Sequence, residues 1–214
     1  MTRVELLTII VNSLVALGTL ALAVFALLGN LLALFGNRLQ DRLFGPNLTL
    51  VLKYPKGRLF KKHGKRFYCL QVENTKPKTI ATNCHVQIRT MSRRMPNGDF
   101  VDIPLLYPLI LSWPPSEYTP VSISIRRDQP VDFGFVAGGI AFVPLAKMAP
   151  DDFLSPADGE GEGLLRPGGT MRFELEIVSD QFVSLKWQTF EVSWNGAWSE
   201  DDEAMSRNLK IREI

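Results

Sequence analysis

The chain has 214 residues, enough for one domain of moderate size plus a separate short segment. Its 24 Lys and Arg nearly balance 22 Asp and Glu, which argues against a dedicated nucleic-acid binder, and its apolar content of 46% is that of an ordinary folded protein. What is not ordinary is where the charge lies: none falls between Leu6 and Gly36, and the rest of the chain is dense with it.

That charge-free run carries only Thr8, Asn12, Ser13, Thr19 and Asn30 as polar side chains. About 20 apolar residues in a helix cross a hydrocarbon core of ~30 Å, so the run predicts a single membrane span. It continues past the 7–15 apolar residues of a secretory signal, and its start, Met1-Thr2-Arg3-Val4-Glu5, is only weakly basic. Residues 1–40 are therefore read as an anchor with its juxtamembrane segment. Within it, Asn12 and Asn30 can hydrogen-bond to partner helices, and the Gly29-x-x-x-Ala33 spacing allows close approach, so these residues are the candidates for helix association.

Basic residues near a span tend to remain in the cytoplasm. Arg38 and Arg42 follow the span closely, and Arg3 before it is offset by Glu5, which places the C-terminal domain on the cytoplasmic side of the plasma membrane. Cysteine phase agrees. Cys69 is out of step with the apolar Tyr68, Leu70 and Val72, whereas Cys84 is in step with Val86 and Ile88. Alternate residues of a strand face opposite ways, so no disulfide is expected between them.

From Pro46 the hydrophobic period changes to two, the period of strands. Leu48, Leu50, Leu52 and Tyr54 alternate with polar or smaller residues, and a basic stretch follows as Lys53, Lys56, Arg58, Lys61, Lys62, Lys65 and Arg66 with no acid among them. Val121, Ile123 and Ile125 form the next alternating run, ahead of Arg126-Arg127. Met171, Phe173, Leu175 and Ile177, then Phe190, Val192 and Trp194, then Leu209 and Ile211 continue the pattern. Turn signals separate the runs at Pro55-Lys56-Gly57, Pro96-Asn97-Gly98, Pro114-Pro115, Gly138-Gly139 and Pro167-Gly168-Gly169. One short helical turn is expected over Glu200–Ser206, with Met205 inward. Many short strands between such turns predict a mainly β domain over 46–214, a β-sandwich.

One segment carries a family likeness. Arg66 to Thr90 reads as a strand ending in Val-Glu-Asn-Thr, a polar turn, and a return strand opening with Ala81-Thr82-Asn83-Cys84-His85-Val86. It resembles the hairpin of immunoglobulin-like, CARDB-like modules, which small bacterial and archaeal proteins carry behind a single N-terminal span. Lys76-Pro77-Lys78 stands where glycine is common in that pattern. The resemblance implies an immunoglobulin-like sandwich; those modules share no single activity, so it implies no chemistry.

The candidate chemistry is sparse. Cys84 and His85 are adjacent and so face opposite sides of a strand, His63 lies in a basic loop without an acidic neighbour, and there is no nucleophile elbow or phosphate-binding glycine loop. Asp158-Gly159-Glu160-Gly161-Glu162-Gly163 imitates the opening of a calcium loop, but Gly169 occupies the position of the closing Glu, and the segment reads as an acidic loop. Trp113, Trp187, Trp194 and Trp198 read as core and rim packing. No catalytic residue, metal or cofactor is expected. The basic stretch is the best functional candidate: Lys56, Arg58, Lys61, Lys62, Lys65 and Arg66 are expected to rest on anionic headgroups, at about 1 kcal/mol per basic residue. The sequence thus predicts a non-enzymatic, membrane-anchored binding or scaffolding module, with membrane lipid and a protein or a second copy of itself as partners. The competing reading is a membrane effector whose helix oligomerises when the β-domain senses a ligand.

Overall fold

The structure, a computed structural model, describes residues 8, 12–30, 45–61, 64–114, 123–137, 141–147, 165–183 and 187–214. The chain divides into two compact units, Met1–Phe44 and Gly45–Ile214.

The first unit contributes the helix α1, Asn12–Asn30, 19 residues with a mean hydropathy of 2.0 and none of its apolar surface buried. At 1.5 Å per residue it is about 28 Å long, enough to cross a bilayer core. Its side chains include no charge, and the Thr19 hydroxyl donates back to the Ala16 carbonyl at 2.9 Å, so this polar group is satisfied within the helix itself.

The second unit is mainly β. Its strands are β1 (Leu48–Val51), β2 (Arg58–Phe60), β3 (Lys65–Asn74), β4 (Ala81–Arg94), β5 (Phe100–Ile103), β6 (Leu109–Leu111), β7 (Ile123–Ile125), β8 (Asp128–Ala137), β9 (Ala141–Pro144), β10 (Ala146–Lys147), β11 (Thr170–Ser179), β12 (Phe182–Val183), β13 (Gln188–Trp194) and β14 (Leu209–Glu213). A short helix, α2 (Asp202–Asn208), precedes the last strand. All pairings are antiparallel. A five-stranded sheet runs β1-β3-β8-β9, with β2 joining β1 along the same flank of β3. A nine-stranded sheet runs β10-β6-β4-β11-β13-β14. In it the long β4 carries β11 on one flank and β7, β6 and β5 in succession on the other.

The alternating residues explain why two sheets form. Tyr68, Leu70, Val72, Val131 and Phe133 from the smaller sheet, and Val86, Ile88, Phe173, Phe190 and Val192 from the larger, bury into one continuous core. Phe133 of β8 meets Phe173 of β11 edge-on at 5.2 Å between centroids and Phe190 of β13 at 6.1 Å, so aromatic contacts join the sheets directly. A second clasp is polar. Gln188 of β13 accepts from the Leu50 amide at 2.6 Å and donates to the Leu50 carbonyl at 2.9 Å, satisfying backbone groups on the outer edge of β1.

Several expected elements stand where the pattern put them. Met171, Phe173, Leu175 and Ile177 are buried on β11, and Met205 is buried on α2, whose Asp201 N-cap accepts from the Ala204 amide. Ile125 is buried on β7, and Val121 lies outside the described residues. Two readings are corrected. Tyr54 lies beyond the end of β1 and is exposed, because the chain turns at Pro55-Lys56 to enter β2. The segment Arg66–Thr90 is not a hairpin: β3 and β4 belong to different sheets, and the connection 75–80 crosses between them. The reason is that the apolar faces of both strands look into the same core from opposite sides. The four tryptophans divide into core and rim, with Trp113 and Trp194 in the core, Trp198 packed against it, and Trp187 exposed beneath the Arg89 guanidinium.

The outer face of the larger sheet is polar and organised by Glu191, which is buried between two cations. Arg172 donates to it at 3.0 Å and Arg212 at 2.5 Å. Burial opposes ionisation of this carboxyl, but the bonds from Arg212 and Arg172 outweigh it and hold its pKa below the ordinary value. A depressed carboxylate contributes stability above its unfolded pKa of about 4.3 and loses it as the pH falls through the folded value. Glu191→Gln is therefore expected to lower stability by about 1–2 kcal/mol at pH 7. Urea midpoints of variant and parent should converge as the pH is lowered from 5 towards 3, and a gap independent of pH would refute the assignment.

Candidate functional site

The basic stretch nominated from sequence forms the β2–β3 hairpin, in which Arg58 pairs with Phe67 and Phe60 with Lys65. An aromatic row supports it, Phe60 to Phe67 at 5.1 Å and Phe67 to Phe135 at 5.5 Å. The Arg58 guanidinium lies 5.5 Å from the Phe60 ring, and the Lys65 ammonium 4.9 Å from that of Phe135. Arg58 and Lys61 are exposed; Lys62 and His63 lie outside the described residues.

Arg66 does not belong with them. It is 0% exposed, donating to Asp202 at 2.6 Å, to the Lys56 carbonyl at 2.9 Å and to the Glu200 carbonyl at 2.7 Å. Its place in the candidate lipid contact is withdrawn: a guanidinium enclosed by an acid and two carbonyls cannot also meet a headgroup. Strand phase accounts for it, since Arg66 is in step with Tyr68, Leu70 and Val72, and all four point inward. Lys56 is also engaged, by Glu203, whose hydrogen bond raises the ammonium above its ordinary pKa.

The hairpin is therefore not a uniformly positive surface. Its acids come from the other end of the sequence. A recess of about 470 Å³ is lined by Gly57, Arg58, Leu59 and Lys61 on one side and by Glu200, Asp201 and Asp202 on the other. The stretch is also distant from the point where the chain enters the domain. Asn47, next to that entry, pairs with Thr75 just beyond the far end of the ten-residue β3, about 30 Å along the strand from Lys65.

The entry end is built around Asn74, which closes β3 within the Val-Glu-Asn-Thr run. Its buried side-chain amide donates to the Thr79 carbonyl at 2.9 Å and to the Arg126 carbonyl at 3.2 Å. Its oxygen accepts from the Lys76 amide at 3.0 Å and the Asn47 amide at 3.3 Å. One side chain thus ties the chain entry, the 75–80 crossover and the β7–β8 turn together. The signal available in the sequence was an Asn at the end of an alternating run, where its short amide can bond the backbone of a turn.

Both cysteines are free, as their opposed phase implies. Cys69 donates to the buried Asp132 at 3.2 Å, and burial beside that acid pushes the thiol up to about 12. Burial pushes Cys84 up to about 11, and that of Asp132 raises its carboxyl in turn. Both thiols are protonated at neutral pH, so neither offers the thiolate that nucleophilic chemistry requires. Cys84 is in the core while its neighbour His85 is half-buried. Among the described residues no group of three or more His, Cys, Asp or Glu is placed to hold a metal ion; the acid-rich stretch 151–163 lies outside them.

Of the residues nominated for helix association, Asn12, Gly29 and Asn30 are exposed on α1 and Ala33 lies outside the described residues. At about 100° per residue, Asn12 and Asn30 are five full turns apart and share one face with Ala16, Thr19, Ala23 and Ala26, whereas Gly29 lies off that stripe. The resulting 4-3-4-3-4 spacing of small and polar residues is that of an interhelical seam.

No family model matches the sequence, and no curated protein matches it.

Proposed function

We propose that the chain is a non-enzymatic binding or scaffolding module with an immunoglobulin-like β-sandwich, held at the cytoplasmic face of the plasma membrane by a single span. The observation that carries this reading is α1, a 19-residue helix with a mean hydropathy of 2.0 and no buried surface. Leaving such a surface in water would be costly, whereas in a bilayer it is at home, and it exceeds the 7–15 apolar residues of a signal sequence. Arg38 and Arg42 after the span, and two unbridged cysteines, support the cytoplasmic side. The two antiparallel sheets around one core, with β3 and β4 divided between them, support the sandwich. The seam Asn12-Ala16-Thr19-Ala23-Ala26-Asn30 supports a protein partner within the membrane, a second copy of this chain being the simplest.

Fusions of a fluorescent protein and of alkaline phosphatase to the C-terminus test the placement. The expected result is fluorescence without phosphatase activity, from a carbonate-resistant, full-mass chain. Phosphatase activity without fluorescence would put the domain outside, and a product shortened at its N-terminus would turn α1 into a cleaved signal.

A further inference from the structure

A second surface recess lies at the chain-entry end and is lined by Pro77, Lys78, Arg126 and Arg127, with a volume of about 420 Å³. Lys78 comes from the crossover between the sheets and the two arginines from the β7–β8 turn, which the Asn74 side chain fastens together. Backbone bonding completes the frame, since the Asn74 amide donates to the Arg127 carbonyl at 2.5 Å and the Thr75 amide to the Asn47 carbonyl at 2.9 Å. The three cationic side chains are exposed, and among the described residues none of them forms an ion pair.

Two of the acids nearest in the chain to these turns are already occupied. Asp128 accepts from Gln71 and pairs with Lys53 at 3.9 Å, and Asp180 accepts from Thr82 at 2.9 Å and Asn83 at 2.8 Å. Here the contrast with the β2–β3 hairpin is decisive. There the cations face Glu200, Asp201 and Asp202 across their recess, and the buried Arg66 is committed to Asp202; here the lining holds no acid at all. Asn47, the residue through which the chain from α1 reaches β1, is bonded into the same frame.

Resting on the reading of α1 as a retained span, we propose that Lys78, Arg126 and Arg127 form a docking surface for anionic phospholipid headgroups at the chain-entry end of the domain. The surface carries positive charge on short turns, with a proline beside it and no competing acid in its lining, which suits a sheet of phosphates better than a single deeply held ligand. It takes over the lipid role that the sequence assigned to the hairpin.

The test uses the full chain in nanodiscs of phosphatidylcholine alone or with one third phosphatidylserine, read by hydrogen exchange of the 75–80 and 126–129 turns. Exchange of those turns is expected to slow at least fivefold in the anionic discs, and the slowing should vanish in 0.5 M salt. The triple variant Lys78→Ala, Arg126→Ala, Arg127→Ala should abolish it, each single change weakening it about fivefold at most. Arg58→Ala with Lys61→Ala should leave it intact, and unchanged exchange in β4 and β11 verifies the fold of each variant. Equal exchange in the two kinds of disc overturns the proposal. So does protection brought by 10 mM inorganic phosphate in phosphatidylcholine discs, which would assign the recess to a free anion. Failure of the anchor reading shows separately, as a chain that leaves the discs on carbonate washing.

Discussion

Arg66→Ala is expected to lower folding stability by about 3–5 kcal/mol, while Asp202→Asn costs about 1 kcal/mol or less. The asymmetry follows from the two ends of the same ion pair. Arg66 is 0% exposed, whereas the Asp202 side chain is 62% exposed, so solvent screens its charge, and in Asp202→Asn the amide oxygen and both carbonyls still accept from the buried guanidinium. Removing the arginine does more than break the pair. It vacates a fully buried volume and leaves the Lys56 and Glu200 carbonyls without the donor that links the β2–β3 hairpin to the start of α2. Arg66→Met refills much of the volume without restoring the bonds and should fall between the two. Urea unfolding followed by the fluorescence of the buried Trp113 and Trp194 reads all three variants. Equal, small losses from Arg66→Ala and Asp202→Asn would mean that the network contributes nothing beyond a surface pair.

Arg66 also shows how the sequence is legible and where it stops being so. Alternation identified β1, β11, β13 and β14, and the one short helix with Met205 inward, because in each case the apolar face runs without interruption. The same alternation, begun at Tyr68 and continued backwards, places Arg66 inside; charge masked a signal that phase supplied. β8 was hidden for a different reason. Pro130 lies within it, and the register against β3 slips between Tyr68 and Cys69, so Val131 and Phe133 face inward in one phase and Val136 in the other. β4 slips likewise opposite Glu174 and Leu175, which brings Met91 inward three residues after Ile88. The candidate site depended on contacts that local pattern does not contain. The acids of 200–203 lie more than a hundred residues from the cations they face, and Asn74 joins turns separated by the whole of β4 to β7. Only the fold brings them together.

The second large effect concerns the core. Phe133→Ala is expected to cost about 3–5 kcal/mol and to weaken both sheets together. Phe133 is fully buried on β8, and its ring meets Phe142 on β9 of its own sheet at 5.6 Å. It meets Phe173 and Phe190 of the other sheet at 5.2 and 6.1 Å. The cavity left by truncation would therefore open at the layer between the sheets, where Phe142 also reaches Phe173 at 6.2 Å, and not within either one. Collapse to fill it is resisted on one side by Gly134, where even a Cβ would meet the Phe142 ring at 2.5 Å and the Val143 carbonyl at 2.7 Å. β9 is already seated as close to β8 as the glycine permits, so the Phe142 ring cannot shift further toward β8 to fill the space. The variant should accordingly unfold at lower urea in a single transition. Hydrogen exchange should report a similar loss of protection in β3 and β8 of the smaller sheet and in β11 and β13 of the larger. Loss confined to β8 and β9, with β11 and β13 unchanged, would show that the sheets are stabilised independently and that the shared aromatic layer does not couple them.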